Sequence, residues 1–180
     1  MTIKAQIDRS SSLTSPVLMF QDKKGKILKK IDFKLYGTPA DTLFPSILNF
    51  KAIYPDKNST PLIIAVASSP GGSDIHFETT IIGFISGKIV ELTPDHIDSS
   101  SQDALCLEEK NFILFNFLWE EAHYDPHRYE AISYKMTNDK LEKIETKQTK
   151  KKYKDWKGAA SELGYHCGDD LIQTTNPSYK

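Results

Sequence analysis

Several features that would have decided the chemistry of this chain are scarce or missing. It carries two cysteines, Cys106 and Cys167, and no CxxC pair, so the usual zinc-ribbon and dithiol redox patterns are absent from its sequence. An even count permits one disulfide in an oxidising compartment without requiring it. Cys106 sits in an apolar pattern and reads as an inert buried thiol. Cys167, flanked by Tyr165-His166 and Gly168-Asp169-Asp170, reads as the more exposed of the two. Arg9 and Arg128 are the only arginines, and arginine is the residue best suited to bidentate recognition of phosphate or base edges. Charge of one sign is missing too. The chain has 23 basic and 24 acidic side chains and a formal net charge of -1, which gives no global pull towards nucleic acid or an anionic membrane. No apolar run approaches the roughly 20 residues that span a bilayer. Residues 1–16 lack the apolar core of a secretory leader, so the chain reads as soluble, cytoplasmic, or periplasmic if it is a mature form. The phosphate-binding P-loop, the GxGxxG fingerprint and the GxSxG nucleophile elbow do not occur.

What is present suits a β fold. The 180 residues fit one domain, and 39% of them are hydrophobic and 11% aromatic, enough apolar material to bury a core without staples. Residues 1–15, rich in serine, read as a flexible arm. Residues 16–167 read as one β-rich domain, and residues 168–180 as a loosely ordered tail. Within the domain, 16–20 and 26–36 are strands joined by a turn at Gly25. The run Pro61-Leu-Ile-Ile-Ala-Val-Ala67 is short, β-branched and bounded by turn residues, which marks a buried strand. Strands are expected again at 50–54, 76–86, 89–92, 104–108, 111–119, 128–136 and 141–149. The last carries lysines that would protect a sheet edge. A polar loop is expected over 93–102. One helix is well signalled: Asp155 caps it, Trp156, Ala159, Ala160 and Leu163 recur at helical spacing, and Gly164 ends it. The fold class is therefore mainly β, an antiparallel meander of propeller-like, barrel or sandwich form, with one short C-terminal helix.

The densest chemistry lies in Trp119-Glu-Glu-Ala-His-Tyr-Asp-Pro-His-Arg-Tyr129. Loops held by rigid strands are where binding and catalytic groups concentrate. Trp119, Glu120, Glu121, His123, Tyr124, Asp125, His127 and Arg128 are the candidate binding residues. His123 and His127 are candidate zinc ligands, with Glu120, Glu121, Asp125 or His76 as further donors. Pro126 lies between the two histidines and disfavours the helix on which metalloprotease histidines sit. The same residues also admit a plain structural reading, in which Asp125-Pro126 shapes a turn and the histidines bond to backbone. A second loop, Ser68-Ser-Pro-Gly-Gly-Ser-Asp-Ile-His76, contains Ser69, Asp74 and His76, but without the elbow that would activate a serine. The two loops are expected on one rim, with His123 and His127 partly exposed. Between Lys135 and Lys157 lie nine lysines against four acids, a solvated face under the charge-patterning rule.

Residues 62–94 and 111–153 resemble uncharacterised bacterial proteins with propeller-like β repeats. The shared features are an apolar strand, a Gly-rich loop, a strand ending in Gly-Lys and the Trp119–Tyr129 loop, over about half of the chain. The resemblance implies a binding platform and brings no catalytic residue. The leading expectation is a non-enzymatic bacterial binding protein, in one form an inhibitor or immunity-type protein, acting on another protein through loops at one end of a β scaffold, with no cofactor. The alternative is a metal-binding protein or metal-dependent hydrolase centred on residues 120–128, with zinc as its cofactor. No nucleic-acid partner and no membrane span are expected.

Overall fold

The computed structural model describes residues 1–8, 15–33, 47–55, 59–69, 76–93, 95–99, 101–119, 125–137 and 140–171. Its twelve described strands form three antiparallel sheets, with one helix after them. Sheet A holds β1 (Thr2–Asp8), β2 (Ser15–Gln21) and β3 (Ile27–Asp32), in that order. Sheet B runs β4 (Ile47–Ile53), β5 (Leu62–Ser69), β6 (His76–Ile85) and β7 (Lys88–Glu91). The short β8 (Ile97–Ser99) pairs with the opening residues of β6. Sheet C holds β9 (Gln102–Glu108), β10 (Asn111–Phe117), β11 (Tyr129–Thr137) and β12 (Lys140–Gln148), so β9 and the lysine-bearing β12 form its edges. Helix α1 (Trp156–Leu163) follows. The expected mainly-β meander with one helix is what the chain adopts, in layered rather than closed form.

The layers are stacked by alternation along the strands. In β5, Leu62, Ile64 and Val66 join a core with Leu105, Phe112 and Leu114 of sheet C. Ile63, Ala65 and Ala67 point the other way and join Leu18, Phe20, Ile31 and Phe33 on the sheet A side. Sheet B is thus covered on both faces, which is why β5 reads as a continuous apolar run instead of alternating. Sheet C repeats the arrangement. Its Ala104, Cys106, Ile113, Phe115, Tyr129 and Ala131 face away from sheet B and pack on Trp156, Ala159, Ala160 and Tyr165. The order of layers is sheet A, sheet B, sheet C, helix.

The helix has the ends that its sequence announces. Asp155 Oδ1 accepts the Gly158 backbone N–H at 3.2 Å, and Gly164 closes the last turn at φ 78°. Gly158 also admits Tyr153, whose ring carbon would lie 2.5 Å from any β-carbon there. Beyond the helix, Cys167 is joined to Cys106 by a disulfide with a Cα–Cα distance of 5.8 Å. Cys106 is therefore not the free thiol that its apolar surroundings suggested.

Two segments are more ordered than their composition suggests. Residues 2–8, expected as part of an arm, form β1 and pair with β2 from Thr2↔Gln21 to Asp8↔Ser15. The alternation Ile3, Ala5, Ile7 against Lys4, Gln6, Asp8 is a strand signal that the serines after it obscured. At the other end, Leu171 N–H donates to Leu105 O at 2.7 Å, and Leu105 N–H donates to Asp170 Oδ1 at 3.0 Å, so the tail begins as a docked segment. Residues 9–14 and 172–180 lie outside the described residues.

The disulfide closes a sequence separation of 61 residues. The chain-entropy relation gives such a loop about 4 kcal/mol of stabilisation. The Cys106→Ala/Cys167→Ala variant should lose a stability of that order in urea unfolding, and an unchanged unfolding midpoint would contradict the linkage.

Candidate functional site

The loop singled out above is described only at its stem. Glu120, Glu121, His123 and Tyr124 lie outside the described residues. Trp119, Asp125, His127 and Arg128 are placed. The stem is closed by backbone bonds: Leu118 N–H donates to Arg128 O at 2.8 Å, His127 N–H to Tyr153 O at 2.9 Å, and Tyr153 N–H to His127 O at 2.7 Å. The segment leading into α1 thereby brackets the loop from outside. On this stem three rings pack in sequence. Trp119 stands edge-on to Phe117 at 4.8 Å between centroids, and Phe117 lies 5.1 Å from the His127 ring. Trp119 is 43% exposed, so a large apolar ring is presented to solvent on a supported base. Asp125 is exposed and Arg128 half-buried.

His127 is not on the surface. It is 4% exposed, contrary to the expectation of a partly exposed ligand. Its position on a two-sided bridge with Tyr153 turns the ring inward. Nδ1 lies 3.1 Å from Leu118 O, and because a carbonyl only accepts, Nδ1 carries the proton. Nε2 is buried and has no hydrogen-bond partner among the described residues. Behind the stem, Asp103 Oδ2 accepts the Tyr129 hydroxyl at 2.8 Å and the Trp156 N–H at 3.1 Å. Burial raises the pKa of Asp103 against the lowering effect of these two bonds. The Tyr129 hydroxyl is itself held above its ordinary value, first by burial and then by the Asp103 charge. These contacts tie β9, β11 and α1 together and fix the base of the loop.

The second loop, residues 70–75 including Asp74, lies outside the described residues. Its flanks are placed. Ser99 pairs with Phe77 at the start of β6, and its hydroxyl donates to Asn116 Oδ1 near the end of β10 at 2.9 Å. The strand ends from which both loops depart therefore sit at the same end of the stacked sheets.

A further charged cluster was not anticipated. His96, φ 50°, sits in the turn after β7. Its Nδ1 is paired with Glu78 of β6, and its Nε2 lies 3.5 Å from Glu91 Oε2 of β7. Glu91 Oε1 is 2.7 Å from Lys29 Nζ of β3. Phe33 packs on the imidazole with centroids 5.2 Å apart. The chain of charges links sheet A to sheet B. The two carboxylates approach opposite ring nitrogens, so they cannot converge with the imidazole on one cation. Among the described residues, no group of three or more His, Cys, Asp or Glu side chains is arranged to hold a metal ion. The only hint in the sequence was His96 inside an acidic stretch devoid of lysine and arginine.

The lysine-rich segment is largely a solvated edge, as expected from its charges. Lys140 pairs with Glu142 at 2.8 Å, Lys147 with Glu145 at 3.1 Å, and Lys147 also lies 4.7 Å from the Tyr165 ring centroid. No helix among the described residues is long and apolar enough to cross a membrane.

Compared with known proteins, the chain matches no family model, no curated protein and no solved structure.

The His96 cluster predicts a pH dependence. The hydrogen bond to Glu78 raises the pKa of His96, burial opposes it, and Glu91 adds to the rise. A raised folded-state pKa gives stability that is fully present below the unfolded value near 6.5 and is lost as pH rises through the folded value. The melting temperature of wild type should exceed that of His96→Gln most at pH 6, and the gap should close by pH 9. A loss of about 1 kcal/mol would appear as roughly 2–4 °C in a chain of this size. A gap that does not shrink with rising pH would contradict the ion-pair origin.

Proposed function

We propose that this protein is a non-enzymatic binding protein that engages another protein through the Trp119–Arg128 end of sheet C. The observation that carries this reading is the exposed Trp119 ring supported by Phe117 and His127 on a hydrogen-bonded stem. Exposed aromatics held in one orientation lose little entropy on binding and are the residues most often found at the energetic centre of interfaces. The flanking Glu120, Glu121, Asp125 and Arg128 would supply the polar rim. An inhibitor or immunity-type role, in which such a loop plugs a partner's site, is the form of this reading that we favour. The successive meanders stacked face to face support a platform role. The Cys106–Cys167 bond favours work in an oxidising compartment such as the periplasm.

A second reading is favoured by one observation. His127 donates from Nδ1 to a backbone carbonyl and leaves Nε2 buried and without a partner among the described residues, which is how metal-bound imidazoles are usually oriented. In this reading His123, Glu120 or Glu121 would complete a zinc site on the same loop, serving either binding or hydrolysis.

Trp119→Ala separates the readings. On the first, a partner captured by wild-type protein from its source cell, once purified, should bind the variant at least roughly thirtyfold more weakly, the cost of about 2 kcal/mol for an interface hot spot. The melting temperature should stay unaffected by zinc. On the second, tag-free protein should retain about one zinc per chain and melt higher when zinc is added, because binding to the native state alone stabilises it. A partner that binds Trp119→Ala and wild type equally would overturn the first reading, and recovery of no partner at all would count against it.

A further inference from the structure

Strand β9 is an edge of sheet C, and the chain after α1 runs back to it. Tyr165, just past the helix, is buried, and its hydroxyl lies 2.8 Å from that of Ser133. From His166 onward the character changes. None of residues 166–171 is buried, and none lies in a helix or strand. Hydrogen bonds join this strap to β9. His166 N–H donates to the Glu108 carboxylate, Leu171 N–H donates to Leu105 O at 2.7 Å, and Leu105 N–H donates to Asp170 Oδ1 at 3.0 Å. The outward N–H and C=O of Leu105, which an edge strand would otherwise leave open, are closed off in this way. Leu171 adds apolar contact with the core between sheets B and C. Such contacts return less free energy than the ordering of this irregular segment takes, so the bond from Cys167 to Cys106, the neighbour of Leu105, decides whether the strap stays. Its two sulfurs are unequally reachable. Cys106 has no exposed surface, whereas Cys167 is half-buried and lines a cavity of about 430 Å³ with Trp156, Lys157, Tyr165 and Gly168.

We propose that the Cys106–Cys167 bond is a redox latch. Closed, it holds residues 166–171 on the edge of β9. Opened by a dithiol, it releases the strap while the sheets stay folded. A thiolate of the reductant attacks the Cys167 sulfur, the S–S bond breaks, and Cys106 leaves as a thiolate that takes up a proton. The second thiol of the reductant then attacks the reductant's own sulfur in the mixed disulfide and frees Cys167. Two electrons and two protons pass from the dithiol to the protein, and the dithiol becomes a disulfide. The helix keeps its other ties to sheet C. Asp103 still accepts the Tyr129 hydroxyl and the Trp156 N–H, and Trp156, Ala159 and Ala160 still pack on Phe115 and Ala131. Opening therefore bares the Leu105 N–H and C=O without dissolving the sheet. The latch is independent of the Trp119 reading, whose stem lies where β10 ends and β11 begins.

The test is residue-resolved amide exchange on the whole protein, oxidised and then treated with dithiothreitol under native conditions. Reduction should speed exchange at the Leu105 amide by at least about a hundredfold. Leu114 and Ile132, paired across β10 and β11, should stay protected, and reoxidation should restore the protection of Leu105. Iodoacetamide should modify the freed Cys167 at least about tenfold faster than Cys106, in line with their exposure. Cys167→Ser should show the fast Leu105 exchange without any reductant. Wild-type protein reduced in place keeps the test decisive even where that variant fails to fold. Equal protection of Leu105 in the two redox states, loss of protection at Leu114 and Ile132 as large as that at Leu105, or a disulfide that yields to dithiothreitol only after unfolding would each overturn the proposal.

Discussion

The structure depends on the burial of sheet B from both sides. Residues 62–67 of β5 are all buried, with successive side chains passed alternately to sheet C and to sheet A. Such a strand has no wet face, and exposing its sheet C side would return Leu62, Ile64 and Val66 to water, each worth about 1.5–3 kcal/mol. Neighbouring β6 meets the same constraint with threonines, whose hydroxyls must then be satisfied. Thr79 donates to Gln102 Oε1 at 2.9 Å, and the Thr80 and Thr93 hydroxyls lie 3.1 Å apart. These bonds replace water for groups that the stacking has sealed off.

The outer layers follow from that central one. Sheet A covers one face of sheet B and is joined to it by apolar packing and by the Lys29–Glu91–His96–Glu78 chain of charges. Sheet C covers the other face and would expose its own far side without α1 and the segment after it. Asp103, Ser133 and Cys106 each anchor that cover, through Tyr129 and Trp156, through Tyr165, and through Cys167 respectively. The stack leaves two ends where strands turn. At one, rings and backbone bonds close the stem beneath Trp119. At the other, the central sheets diverge into a cleft floored by Leu62, Leu92, Leu107 and Phe112. Both places are consequences of sheets that must pack at their middles and can separate only at their ends.

Much of the local structure was legible. The apolar run of β5, the Gly25 turn and the capped helix each carry a short-range signal in residues that stand close together. Sheet partnership was not legible, because alternation tells which residues share a face and not what lies on it. The disulfide belongs to the same class, since its two cysteines are brought together only by the docking of α1 on sheet C. β1 was masked by a serine-rich stretch beside it, and β8 is three residues long within a polar loop. At the candidate site, the aromatic and charged character of the Trp119 loop was readable, whereas the burial of His127 was not. That burial arises from the bridge to Tyr153, which is distant in sequence. The His96 cluster was missed for the same reason: its partners come from β6 and β7, and its link to Lys29 from another sheet.

The claim on which the account rests is that sheet B is the sealed centre of the stack. Native-state amide hydrogen exchange across rising denaturant measures this directly, because amides in a sealed core exchange only through global opening. Residues 63–66 of β5 and their partners in β6 should show the full unfolding free energy and its full denaturant dependence, while β1 and β12 open at lower cost. Exchange of the β5 amides through small local openings, at or below the free energy found for β1 and β12, would contradict it.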